Sequence, residues 1–204
     1  MGFKETADPS KRQLLAEGLD VCAVLLRLLD AHGIADVQVH DFGGNDKEQL
    51  LRYLNVLKTQ RSFQSSVTHL GIIRDAERQP AASAISSVNA TLLKAGISAG
   101  QFGALVQVSA FILPDNSSSG CLETLLYDTR LNPRIDGCVD MFIACAWPTG
   151  GPSMSGMPNE HKMRVQCYLA ALAPEKRSGQ ALAAGLFDPR HDAFSGLTSF
   201  LRTF

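Results

Sequence analysis

The stretch Thr68–Pro80, THLGIIRDAERQP, decides the reading of this chain. Its apolar run Leu70-Gly71-Ile72-Ile73 ends abruptly at Arg74-Asp75-Ala76-Glu77-Arg78. A short β-branched run bounded by polar residues reads as a buried strand. Such a strand delivers Asp75 and Glu77 to its carboxyl end, and in extended chain residues two apart point to the same side. That end is where open α/β sheets place ligands. Two carboxylates held there repel each other unless something positive sits between them, and a divalent metal is the usual answer.

Upstream, Lys11–Gly18 (KRQLLAEG) reads as a short strand centred on Leu14 and Leu15 and ending at Glu17-Gly18. Asp20 then stands at the N-terminus of a helix in which Val21, Val24, Leu25, Leu28 and Leu29 keep helical spacing, with Gly33 as its C-cap. Val37–Phe42 alternates like a strand and stops at Gly43-Gly44. Asn45 or Asp46 caps a helix over Lys47–Lys58 with Leu50, Leu51, Leu54 and Leu57 inward. Downstream, Pro80 suits the first turn of a helix running to about Lys94, with Ile85, Val88, Leu92 and Leu93 on one face and Gly96 as C-cap. The order β-α-β-α-β-α predicts a mostly parallel sheet covered by helices.

Ala104–Pro114 is the next predicted strand, followed by a polar turn, Asp115–Gly120, and a helix from about Cys121 to Arg130 that carries Glu123. Cys138–Trp147 fits either a strand or a buried helix, and Thr149–Asn159 is a loop. His161–Leu172 is amphipathic and helical, with Val165, Tyr168, Leu169 and Leu172 inward. Ala181–Phe187 fits a short helix, and Asp192 caps the last one. Its stripe of Phe194, Leu197, Phe200, Leu201 and Phe204 reads as core. The expectation is one α/β domain: a core over residues 10–135, with a mainly parallel sheet flanked by helices, and a C-terminal α/β elaboration over residues 136–204.

The 204-residue chain is 45% hydrophobic and 19% charged, the balance of an ordinary globular protein. A net charge of -1 and a pI near 6.5 give no bulk electrostatic support for non-specific nucleic-acid binding, although a local basic patch stays open. The five cysteines are dispersed, with no CxxC, which predicts reduced, mostly buried thiols and a cytoplasmic setting. The first residues carry no apolar signal core, and no apolar stretch is long enough for a bilayer, so no membrane association is expected. The five histidines show no HxxxH or HxH pairing, which argues against zinc. Gly43-Gly44 lacks the dinucleotide spacing, and neither a Walker pattern nor a G-x-S-x-G elbow occurs.

Acids recur where the predicted strands end: Glu17 with Asp20, Asp75 with Glu77, and Asp115 followed by Glu123. In a parallel sheet these ends share one edge. Asp20 and Asp46 also suit helix caps. Glu17 precedes a glycine, where no cap is needed. The plain alternative for Asp75 and Glu77 is neutralisation by Arg74 and Arg78 in a surface network.

Glu17-Gly18-Leu19-Asp20 followed by Asp75-Ala76-Glu77, in a βαβαβ frame, resembles the Toprim domain of topoisomerases, primases, recombination proteins and OLD-type nucleases. Pro114-Asp115-Asn116, Gly120-Cys121-Leu122-Glu123 and Lys162 resemble more closely the small stand-alone Toprim-like proteins of the DUF3226 type. The Toprim pattern prefers aspartate at the position of Glu77, and glutamate's longer arm would move the ion. The resemblance implies that Asp75 and Glu77 hold Mg²⁺, with Mn²⁺ as a substitute, and that Glu17 is a further ligand or the general acid/base. Glu123, with Asp115 and Asn116, would complete a second cation site. Lys162 would neutralise a phosphate in the transition state or, more plainly, is a solvated lysine. Asp20, Arg74, Arg78, Asp115 and Asn116 are the candidate substrate contacts, the two arginines serving either phosphate or the acids. No tyrosine stands at the spacing that type IA or type II topoisomerase chemistry would need, and the extra domains of those machines are not expected, so topoisomerase activity is not expected. The expected activity is Mg²⁺-dependent phosphoryl transfer such as nucleic-acid phosphodiester cleavage, on a nucleic acid or a nucleotide. The alternative is a non-catalytic metal- or anion-binding or regulatory module, with a protein partner or a second copy of the chain.

Overall fold

The computed structural model describes residues 11–44, 47–97, 101–102, 106–146 and 160–204. Strands β1 (Arg12–Ala16), β2 (Val37–Asp41), β3 (His69–Asp75) and β5 (Val106–Leu113) run parallel, and the two-residue β4 (Gln101–Phe102) joins β5 antiparallel. Their order in the sheet is β2-β1-β3-β5-β4. The chain steps from β1 outward to β2, then returns past β1 to lay down β3 on its other side. The order therefore reverses between β1 and β3, and the crevice for a ligand opens at their carboxyl ends. Those ends carry Glu17 and Asp75.

Alternation along the strands sends Leu14, Ile73, Phe111 and Leu113 to one face and Leu15, Ile72 and Ile112 to the other. Helices α1 (Leu19–Ala31), α5 (Leu122–Asp128), α7 (Glu160–Leu172), α8 (Ser178–Ala183) and α9 (Ser195–Thr203) contribute to the first core. Helices α2 (Lys47–Thr59), α3 (Arg61–Ser66) and α4 (Ala81–Lys94) contribute to the second. β1 and β3 are buried from both sides, which is why they read as unbroken apolar runs. The α/β architecture is therefore as the sequence implies.

The C-terminal third adds helices and, among the described residues, no strand. Helix α6 (Asp136–Ala146) takes the segment that fitted strand or buried helix. Only Val139 and Ile143 are buried, while Met141 and Phe142 face outward. A narrow apolar edge is enough to dock a helix, and apolar content alone overstated its burial. The same overstatement covers Leu93, which is 66% exposed, and Leu172. Cys22 and Cys121 are buried, but Cys138 and Cys145 are exposed on α6, against the expectation of mostly buried thiols. Asp192 does not cap the last helix. Helix α9 has Phe194 at its cap position with no side-chain bond, and His191 caps the 3-10 turn before it, its Nδ1 accepting from the Ala193 N–H at 3.1 Å. The phenylalanine stripe is core as expected. Phe194, Leu197, Leu201 and Phe204 are buried against the sheet, and Arg12 Nε donates to the Phe204 carbonyl at 2.9 Å. The predicted Asn45/Asp46 cap, the Thr149–Asn159 loop and Trp147 lie outside the described residues. Among the described residues no helix is long and apolar enough to cross a membrane.

Candidate functional site

At the switch point a cleft of about 310 Å³ opens between the ends of β1 and β3. Glu17, Asp20, Asp75, Glu123, Lys162 and Arg177 contribute to its walls. Glu17 arrives there because its N–H extends the sheet pairing, donating to the Ile73 carbonyl at 3.2 Å. Gly18 then turns the chain into α1 with φ +97°, a conformation that costs glycine little. Asp20 lies within the first turn of α1 rather than at its cap, where Gly18 stands without a side-chain bond.

Asp75 Oδ1 accepts the Leu122 N–H at 3.0 Å, so the end of β3 is tied to the first residue of α5. Glu77 is not on an extended strand. Its φ is +59°, and it exchanges backbone bonds of 2.7 and 2.8 Å with Gly120. Same-side alternation is therefore not what groups the two acids. They meet through Lys162, whose Nζ donates to Glu77 Oε1 at 2.7 Å and lies 3.8 Å from Asp75 Oδ2.

The charges follow from this packing. Burial pushes the Asp75 carboxyl up to about 8, with the negative Glu123 and Glu77 adding to the rise and Lys162 and the Leu122 N–H opposing it. Burial also raises Glu17, against Arg74, whose Nε donates to Glu17 Oε2 at 3.1 Å. Burial alone would lower Lys162, but its bond to Glu77 and the charges of Asp75, Glu77 and Glu123 hold it above the usual lysine range. Among the described residues, the buried side-chain oxygens and nitrogens without a partner are Glu17 Oε1, Glu123 Oε2 and Gln60 Oε1. The first two belong to this cleft. An unpaired buried carboxylate oxygen is costly, and two in one cleft, one after β1 and one in the first turn of α5, point to a cationic group.

Other predicted site residues lie elsewhere or are engaged. The Asp115 carboxylate accepts from the backbone N–H and hydroxyl groups of Ser117 and Ser118 at 2.7–2.9 Å. Burial works against those four bonds, yet they hold its pKa down at about 2. Asn116 Oδ1 accepts the Ile112 N–H at 2.6 Å, pinning its own turn. Both are loop-building residues outside the cleft wall, because a short polar turn satisfies itself before it can reach a ligand. Arg74 serves Glu17 and the Ser87 hydroxyl, and Arg78 is exposed on the loop after β3.

Two residues escaped the sequence reading. Asp41, at the end of β2, accepts the Gly18 N–H at 2.9 Å and the Gly43 N–H at 2.7 Å, bracing the turn that carries Glu17. The rule of an acid at a strand end would have found it. Arg177 precedes α8 and reaches the cleft only through tertiary packing, so no local pattern could mark it.

The donors fit a hard divalent cation as an open set. Among the described residues no three acidic, histidine or cysteine side chains form a ready-made cage. Mg²⁺ does not need one, since it keeps several waters and binds through one or two carboxylates plus ligand phosphate. Asp75, Glu123 and Glu17 supply oxygen donors of that kind, two of them with an oxygen still unpaired.

Residues 11–204 match the family model described as a protein of unknown function, DUF3226. No curated protein and no solved structure matches.

Proposed function

The chain belongs to the DUF3226 family, and since that membership carries no activity we infer the function from the cleft itself: divalent-cation-dependent phosphoryl-transfer chemistry. One observation carries this reading. Carboxylates from two strand ends and a helix share a cleft, Glu17 and Glu123 each with a buried oxygen left unpaired, and burial pushes Asp75 towards protonation. The resemblance to Toprim domains implies the same chemistry. Asp75 and Glu123 would hold Mg²⁺, with Glu17 as a third oxygen donor or the group that takes a proton from the attacking water. The ion would polarise a phosphate oxygen and stabilise charge on the attacking and leaving atoms. Lys162 would give up part of its hold on Glu77 and Asp75 and meet the phosphate. Nucleic-acid phosphodiester cleavage is the form of this chemistry that the resemblance implies.

Titration of Mg²⁺ or Mn²⁺ by calorimetry, on the wild type and on Asp75→Ala combined with Glu123→Ala, tests the reading. Saturable binding that vanishes in the double variant is expected. No binding at millimolar metal, with or without an oligonucleotide present, overturns it. The second reading is a non-catalytic metal- or anion-binding module. It is favoured by Lys162, whose ammonium already neutralises Glu77 at 2.7 Å. Metal binding without hydrolysis of a phosphodiester or a phosphomonoester would select it.

A further inference from the structure

We propose that this cleft takes a small phosphate monoester of nucleotide size, anchored by Arg177, rather than a polynucleotide strand. The inference rests on the metal-and-phosphate reading of the site and names its ligand. Proteins that hold a strand track its backbone with several cations and stack its bases on aromatic side chains. Among the described residues lining this cleft the cations are Lys162 and Arg177, and none is aromatic. Lys162 is engaged by Glu77 and Asp75 and is only partly available to a phosphate, so the exposed Arg177 on the cleft wall is the principal anchor. Outside the described residues the sequence holds a single cation, Lys4, and the thirteen residues WPTGGPSMSGMPN that precede α7 hold no charge at all. The cleft's 310 Å³ lies at the lower end of the range of about 300–1,000 Å³ typical of small-molecule pockets.

The position of Arg177 is fixed by packing rather than chance. Gly179, two residues on, lies so close to α1 that an added Cβ would come within 2.2 Å of the Ala23 Cβ and 3.1 Å of the Ala23 carbonyl carbon. Helix α1 is the element whose first turn, at Leu19, Asp20 and Val21, forms the cleft wall. Helix α8 is thereby clamped to α1, and the arginine before it is delivered to the acidic floor from the far end of the sequence. A guanidinium sharing the cleft wall with carboxylates that would hold a divalent cation suits one terminal phosphate.

The test is calorimetry on the full chain with adenosine 5′-monophosphate, inorganic phosphate and a twelve-nucleotide single strand lacking terminal phosphates. Each is titrated with Mn²⁺ present and again without metal. The proteins are wild type, Arg177→Gln, Arg177→Lys and, as a control on α2, Arg52→Gln. The expected result is that the monophosphate binds the wild type and the control alike. Arg177→Gln should weaken it by about tenfold or more, the worth of a charge-assisted phosphate contact, with Mn²⁺ affinity unchanged and partial recovery in Arg177→Lys. Monophosphate binding indifferent to Arg177, or strand binding as tight as monophosphate binding, overturns the proposal. If Mn²⁺ binds no variant, the metal reading fails. The metal-free arm then decides this one: Arg177-dependent monophosphate binding sustains it, and none overturns it.

Discussion

Asp75 carries the clearest single-residue consequence. Its folded pKa lies near 8 against an ordinary 3.8, so the folded state holds the proton more tightly than the unfolded chain. A raised carboxyl pKa gives stability that is full below the unfolded value and lost as pH rises through the folded one. The metal-free melting temperature should therefore fall between about pH 4 and pH 8. Mg²⁺ should restore it most at the alkaline end. Asp75→Asn keeps an acceptor for the Leu122 N–H and removes the buried charge. It should flatten the pH dependence, raise metal-free stability at pH 8 and abolish the response to Mg²⁺. Thermal melts with chelator and with metal, at pH 5 and pH 8.5, read all three. Lys162→Met is the complement. It leaves Glu77 and Asp75 without their ammonium, and should cost about 1–3 kcal/mol in chelator, below the range for a fully buried pair because Lys162 is 28% exposed. Mg²⁺ affinity should rise, since a competing cation has gone. Weakened Mg²⁺ binding would show that Lys162 supports the site instead of filling it.

Among the elements, the contact of α8 with α1 matters most, because it brings Arg177 to the cleft. Gly179→Ala should destabilise by about 1–3 kcal/mol, the usual result of forcing a methyl group into a closed contact. The added carbon would meet backbone as well as the Ala23 methyl. The displacement should also move Arg177 and weaken monophosphate binding, while metal binding by the strand-end acids holds. Urea denaturation and parallel titrations separate the two effects. An unchanged urea midpoint would show that α8 is not clamped. Helix α5 is tied to Asp75 through the Leu122 N–H, which fixes the end of β3 to its first turn.

Over the whole molecule, the C-terminal helices complete the core on one side of the sheet. Phe194 and Leu201 are fully buried, and they pack in the same cluster as Leu14, Ile73 and Phe111 of the central strands. Phe194→Ala should cost about 3–5 kcal/mol, as for other buried phenylalanines. It should do so in one cooperative transition that includes the sheet. Two separated transitions in denaturant, only one of them shifted, would show that residues 136–204 fold apart from the rest.

The sequence by itself determined the parallel α/β architecture. Apolar runs bounded by acids and glycines, alternating with helical stripes, admit few other arrangements. It also determined that Glu17 and Asp75 would share an edge, because strand ends in a parallel sheet point one way. It did not separate exposed apolar positions such as Met141 and Leu93 from buried ones, since periodicity reports a face and not what covers it. Nor could it show that Asp115 and Asn116 would spend their oxygens within their own loop, which depends on turn geometry. The tertiary structure alone decided that Glu77 sits in a left-handed turn and that Lys162, marked beforehand only by the family resemblance, pairs with Glu77 and Asp75. It also brought Arg177 to the cleft. These groups are separated by long stretches of chain, and only the closure of the C-terminal helices over the sheet brings their charges within reach of one another.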